Sequence, residues 1–287
     1  MPRIRANGIE MHYHVQGKGL PIVFLHPPCI GSRIFTYLSN DLSQDHKSLL
    51  FDMRGHGQSG TSGERLTIPL IAQDTCRLMD ALDIPSAYLC AYSVATMAAL
   101  EALHAHPERF RGAILMGGAA QVTGWKTRAK LRLGRIAGRW RLKELLSLPI
   151  LWSNSDRIET FRRLRKETTA GDVAKWAEYL EGARQYSAVG YLAEIRQPVL
   201  LLCGEKDREF KTYMKILQKG LPLASIAYVP GVKHTLPTHA AHEVAPIIRE
   251  WIKALEGEGP TEVKQGLPSF EVAPLVQTDD SEQPKYE

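Results

Sequence analysis

Cysteine is scarce in this chain. Its 287 residues include Cys29, Cys76, Cys90 and Cys203 only, at none of the paired spacings that redox or zinc motifs use. A disulfide framework is not expected, and reduced thiols in a reducing compartment are. Long apolar runs are also missing, and the stretch "MPRIRANGIEMHYHVQG" contains nothing like the apolar core of a secretory signal. A cytoplasmic location is the expectation. His12 and His14 alternate on a strand-like segment, but no acid or cysteine beside them in sequence completes a metal site, so neither metal nor cofactor is expected.

Charge is present but uneven. The formal net charge is +5, yet residues 256–287 carry eight acids against Lys264 and Lys285, with four prolines and little apolar periodicity. That stretch reads as an acidic, solvated tail outside the fold. Basic residues concentrate instead in "KTRAKLRLGRIAGRWRLKELLSL". No recognisable nucleic-acid module accompanies them, so a small-molecule partner is expected rather than a nucleic acid.

The remainder alternates between two patterns. "IEMHYHVQ" alternates polar and apolar residues as a strand does, and "PIVFLH", "SLLFDMR", "AYLCAYS", "GAILMGG", "PVLLLCG" and "SIAYVPG" are short apolar runs ending in turn chemistry. Helical patterns such as "TIPLIAQDTCRLMDALDI" and "APIIREWIKAL" lie between most of them. This order predicts an α/β fold with a mainly parallel sheet, helices on both faces and functional residues at the carboxyl ends of the strands. Residues 122–197 break the alternation with helical segments alone. They predict a cap inserted into a core formed by 1–121 and 198–255.

Three strand ends carry the chemistry. Ser93 sits at the corner of "LCAYSVATMAAL", a strand running into a helix; Asp207 follows the strand of "LLLCGEKD", and His234 follows that of "YVPGVKH". A serine nucleophile requires a base, a group that orients the base, and donors for the developing oxyanion. Glu205 is a rival acid, and His239 and His242 are rival bases.

These stretches, with "PIVFLHPP", "LLFDMRGHGQS" and "AHPERFRGAILMG", resemble the α/β-hydrolase fold superfamily in order and spacing over about residues 8 to 255. The resemblance implies that Ser93 is the nucleophile, His234 the general base and acid, and Asp207 the carboxylate that orients it. It also implies a bracing role for Asp52 and Arg54, and oxyanion donors at Val94 and at the position of Pro28. His26 and Tyr92, which flank these groups, are candidates for substrate contact.

Two departures from the family pattern stand out. Ala91 and Ala95 occupy positions where glycine is usual around the nucleophile, each adding a methyl group to a tight turn. Pro28 has no N–H to donate, so the N–H of Cys29 or Ile30 must serve if the site is competent.

In the cap, Arg128, Arg132, Arg135, Arg139 and Lys143 recur at helical spacing beside an apolar face of Leu133, Ile136, Ala137 and Trp140. The plainer reading is a lid helix with solvated cations; the alternative is weak contact with an anionic membrane or an acidic substrate. Gly134 and Gly138 argue against a rigid helix. Trp125, Trp140 and Trp152 either line a pocket under the lid or form its own core. Together these residues predict a serine hydrolase of small or medium apolar esters. The alternatives are C–C, lactone or thioester hydrolysis, or a binding protein of the same fold with weak turnover.

Overall fold

In a computed structural model, which describes residues 2–257, strands and helices alternate through most of the chain. They run β1 (Arg3–Ala6), β2 (Ile9–Gln16), β3 (Pro21–Leu25), α1 (Thr36–Leu42), β4 (Lys47–Phe51), α2 (Ile68–Ala81), β5 (Ala87–Tyr92), α3 (Thr96–Ala105) and β6 (Phe110–Met116). Four helices follow without a strand: α4 (Trp125–Arg139), α5 (Lys143–Ser153), α6 (Ile158–Thr168) and α7 (Val173–Gln185). The chain then continues through β7 (Val199–Gly204), α8 (Phe210–Gly220), β8 (Ala224–Val229), α9 (Leu236–His239) and α10 (Ala241–Gly257).

The eight strands form one sheet in the order β1-β2-β4-β3-β5-β6-β7-β8. Only the β1–β2 and β2–β4 pairs are antiparallel. Alternate strand residues feed opposite layers, as the two-residue period requires. Val23, Leu25, Leu49 and Leu89 pack with Leu78 of α2 and Leu100 of α3. Ile22, Phe24, Leu50 and Tyr88 face the other way, toward Leu38 of α1 and Trp251 of α10. The sheet is thus covered on both faces, and its parallel strands all end at one edge.

Strand β1 lies outside the stretches anticipated from sequence. Its signal was the Asn7-Gly8 pair, which has positive φ at both residues (46° and 80°) and closes a two-residue hairpin with Ala6 opposite Ile9. Helix α4 forms despite its two glycines, because they lie where it approaches α7. A Cβ on Gly138 would come within 2.7 Å of the Ala177 Cβ, and one on Gly134 within 3.0 Å of Leu180. The glycines therefore serve close packing.

Polar contacts fasten the helical insert to the core. The Asp172 N–H donates to the Gly55 carbonyl (2.8 Å), Lys175 Nζ to the Glu64 carbonyl (2.6 Å), and the Leu66 N–H to Glu178 (2.8 Å). At the carboxyl end, α10 continues two residues into the stretch expected to be a tail. Glu256 is held there by Arg111 Nε (2.9 Å) and the Tyr88 hydroxyl (2.7 Å). The rest of the expected tail lies outside the described residues. Among those described, no helix is long and apolar enough to cross a membrane. All four cysteines are buried, and burial pushes their thiols up, Cys76 to about 11 and Cys203 to about 12.

Candidate active site

Ser93 follows directly on β5 and turns the chain into α3, with φ at 59°. A serine in this left-handed region is strained, by about 1–3 kcal/mol, and such strain persists only where the surroundings impose it. Ala91 and Ala95 are both fully buried, so the turn accommodates their methyl groups in place of the usual glycines. Asp207 lies just beyond β7, and His234 just beyond β8. The three side chains meet: His234 Nε2 is 3.0 Å from Ser93 Oγ, and His234 Nδ1 is 2.8 Å from Asp207 Oδ2.

The surroundings fix both partners. Burial works against ionisation of Asp207, but hydrogen bonds from His234 and from the Phe210 N–H (3.1 Å) outweigh it and hold the carboxyl below its usual value. The imidazole stacks on Phe210 (centroids 4.0 Å apart) and lies at a tilt to Tyr92 (5.1 Å). Phe210 is not among the residues expected at the site, although its place three residues after Asp207, at the start of α8, is a readable signal. The rivals are engaged elsewhere. Glu205 accepts the Gly231 N–H (2.9 Å), His239 meets Thr238 (3.0 Å), and the exposed His242 pairs with Asp41 (2.8 Å).

Above Ser93 lies a cavity of about 850 Å³, bounded by the three side chains, by Pro28, Cys29, Tyr92 and Val94, and by the inserted helices. The helices contribute mostly aliphatic side chains, among them Leu131 and Ile136 of α4, Leu146 and Ile150 of α5 and Leu180 of α7. Asn154 is a polar exception and accepts the Tyr92 hydroxyl (3.1 Å), tying α5 to the end of β5.

A family model for the alpha/beta hydrolase fold matches residues 21–244. The chain belongs to the α/β-hydrolase fold family. It is 24% identical over 243 residues to a protein of Azorhizobium caulinodans named "Putative carbamate hydrolase RutD", covering 82% of this chain and 91% of that one. It is 24% identical over 266 residues to a pimeloyl-[acyl-carrier protein] methyl ester esterase of Stenotrophomonas maltophilia, covering 85% and 97% respectively. A thermophilic esterase from Thermogutta terrifontis shares the fold, with a TM-score of 0.76 at 19% identity over 89% of this chain and 99% of the other.

The loop that departs from the hydrolase pattern has a definite shape. Pro28 and Cys29 form the middle of a turn, with Cys29 at φ 66°. Proline followed by positive φ is the type II arrangement. Among the described residues, the N–H groups of Cys29 and Val94 donate to no protein acceptor. Pro28 supplies cavity wall and no donor, which removes it from the expected oxyanion set.

His26 is corrected as a substrate contact. It is fully buried off the cavity, with Nε2 accepting the Met53 N–H (2.9 Å) and Nδ1 on the Pro27 carbonyl (3.0 Å), so both ring nitrogens brace the loop. Trp125, Trp140 and Trp152 are corrected too. They are 75, 74 and 72% exposed, and none lines the cavity or forms a lid core. The reason is helical phase: α4 turns Gly134, Ala137 and Gly138 toward its neighbours and leaves Trp125 and Trp140 outside. Tyr92 does line the cavity.

Arg54 forms a buried fork with Asp74 (2.9 and 2.6 Å), a brace remote from Ser93 in its contacts. No cluster of three potential metal ligands occurs among the described residues, although Asp52 does meet His12 (2.9 Å).

Gly117, at the end of β6, sets the position of the imidazole. Its φ is 54°, and a Cβ there would meet His234 Cε1 at 2.7 Å. Gly117→Ala is expected to displace the ring and lower kcat by about 100-fold, the scale of an ångström-sized misplacement, while circular dichroism stays native. Unchanged kcat in the folded variant would contradict this role.

Another buried carboxyl, Glu167 of α6, reaches the core beside Asp52. Burial, together with the negative charge of Asp52, holds Glu167 well above the usual carboxyl range. Ser32 Oγ lies 2.8 Å from Asp52 Oδ1 and 3.3 Å from Glu167 Oε1, and the Arg33 N–H donates to Glu167 Oε2 (3.1 Å). One hydroxyl has one proton, so a protonated Glu167 donating to Ser32, which donates to Asp52, satisfies the chain. Because the folded pKa is raised, the stabilisation is complete below the unfolded value of about 4.3 and is lost as pH rises through the folded one. Glu167→Gln keeps a donor and an acceptor. It should unfold within about 1 kcal/mol of wild type near pH 5 and lose that part of the pH dependence in urea titrations.

Proposed function

We propose that this α/β-hydrolase is a serine esterase acting on carboxylic esters with an apolar acyl group. The observation that carries the reading is the hydrogen-bonded run Ser93–His234–Asp207, with steps of 3.0 and 2.8 Å, under an aliphatic cavity. His234 Nε2 takes the proton of Ser93 as Oγ attacks the ester carbonyl. Asp207 holds the imidazole with Nδ1–H toward it and stabilises the imidazolium that forms. The oxyanion is received by the Val94 N–H and by the Cys29 N–H, the latter standing in for the donor that Pro28 lacks. His234 returns the proton to the leaving alcohol, then activates the water that clears acyl-Ser93.

Several features support this reading. All three side chains lie at the carboxyl ends of parallel strands; Cys29 and Val94 flank Ser93 on the cavity wall with their N–H groups uncommitted; and relatives over most of the chain include an esterase by name. The test is a series of p-nitrophenyl esters from acetate to octanoate. Turnover that depends on Ser93 and improves with acyl length is expected, up to about four-fold per added methylene while the chain remains inside the cavity. Thermal stabilisation by the matching fatty acids, with no Ser93-dependent hydrolysis of any ester, would instead indicate a binding protein.

A further inference from the structure

The outer surface of the inserted helices has an unusual distribution of side chains. Helix α4 packs on α7 through glycine and alanine; of its large apolar side chains Leu131 is buried, whereas Trp125, Leu133 and Ile136 are exposed. At about 100° per residue, Trp125, Ile136, Trp140 and Leu133 fall within an arc of about 80°. Arg128, Arg132 and Arg139 occupy the adjoining arc of about 40°. All seven are exposed. Helix α5 continues the apolar strip with Leu145, Leu148 and Trp152, one exposed row at spacings of three and four.

Charge is equally one-sided. Residues 125–155 include eight lysines and arginines against a single acid, Glu144. Arg128, Arg132, Arg139 and Arg141 make no ion pair among the described residues, whereas Lys130 and Arg135 are taken by Glu209 and Glu181. A tryptophan-rich apolar strip flanked by arginine is the composition of a helix that lies in a membrane interface. Contiguous exposed apolar patches rimmed by polar residues mark contact surfaces. The cavity above Ser93 reaches this surface, since Leu133, Ile136 and Leu145 both line it and are exposed.

We propose that the exposed face of α4 and α5 docks on anionic lipid bilayers, with the tryptophans and leucines entering the acyl boundary, the arginines on acidic headgroups and the cavity mouth toward the lipid. A protein partner would also cover the apolar strip. The unpaired arginines, alongside a single acid, favour a uniformly anionic surface instead. The inference does not require that Ser93 be catalytic, because its readout is binding.

The experiment is flotation of the full-length protein with vesicles of phosphatidylcholine alone and with about one-third phosphatidylglycerol. Binding to the anionic vesicles, weakened by salt, is expected, with little binding to the neutral ones. Replacing Arg128, Arg132 and Arg139 by glutamine should lower the partition coefficient by about five-fold each. Trp140→Ser with Trp152→Ser should remove the binding that survives high salt, and since both side chains are exposed the fold should be unaffected. Failure of folded wild-type protein to float with anionic vesicles would overturn the proposal, as would binding that both sets of substitutions leave intact. A concentration-dependent dimer abolished by the tryptophan pair, without vesicle binding, would assign the face to a second copy of this chain and overturn it equally.

Discussion

Ser93→Ala is expected to lower kcat/KM for p-nitrophenyl butyrate by about 10⁴- to 10⁶-fold, the range found when the attacking group of a serine triad is removed. The argument rests on placement. Ser93 has the positive φ of a sharp strand-to-helix turn and a hydroxyl 3.0 Å from His234 Nε2, so no neighbouring hydroxyl can substitute for it in the same geometry. Alanine keeps the Cβ and the turn strain, and the denaturation midpoint should therefore stay close to wild type. A folded variant retaining more than a few per cent of activity would show that hydrolysis proceeds by another route. Steady-state assays of the two proteins side by side are sufficient.

Asp207→Asn is expected to cost about 10⁴-fold in kcat, nearly as much, for a different reason. Asp207 Oδ2 accepts from His234 Nδ1, which leaves Nε2 free to take the serine proton. An amide NH₂ at that position would favour the opposite tautomer, with the proton already on Nε2. The Phe210 N–H donates to Asp207 Oδ1, and the carbonyl oxygen of asparagine can preserve that bond, so α8 should still start correctly. The substitution thus separates the proton-handling role from a structural one. A loss of less than about ten-fold, with native circular dichroism, would show that His234 does not depend on Asp207. Recovery of activity at high pH, with hydroxide as the base, would agree with the role assigned.

The sheet and the three strand-end side chains that meet, Ser93, His234 and Asp207, were legible in the sequence because each depends on local pattern: apolar runs of strand length, turn residues after them, and polar residues at strand ends. Other features depend on tertiary contact. His26 lies beside Pro27 and Pro28 in sequence, which suggests a substrate contact, yet its two nitrogens are occupied by backbone groups, one of them from Met53. Trp125, Trp140 and Trp152 share a segment with aliphatic residues that do line the cavity. The outward placement of Trp125 and Trp140 follows from where Gly134 and Gly138 allow α4 to approach α7. Glu167 carried no signal at all, since its burial arises only when α6 meets the loop bearing Ser32 and Arg33. The double proline at 27 and 28 was visible as a departure. Its outcome depended on a backbone angle at Cys29 that sequence does not specify.

The central claim is that Ser93 is an activated nucleophile despite alanine at 91 and 95 and proline at 28. Time-resolved labelling with a fluorophosphonate probe, followed by peptide mapping, tests it most directly, because the probe reacts rapidly where a base takes the serine proton during attack and the developing anion is stabilised beside it. The expected result is rapid modification of wild-type protein at Ser93, abolished in Ser93→Ala and slowed by orders of magnitude in His234→Ala. Well-folded wild-type protein that stays unlabelled, or carries the label on another residue, would contradict the account.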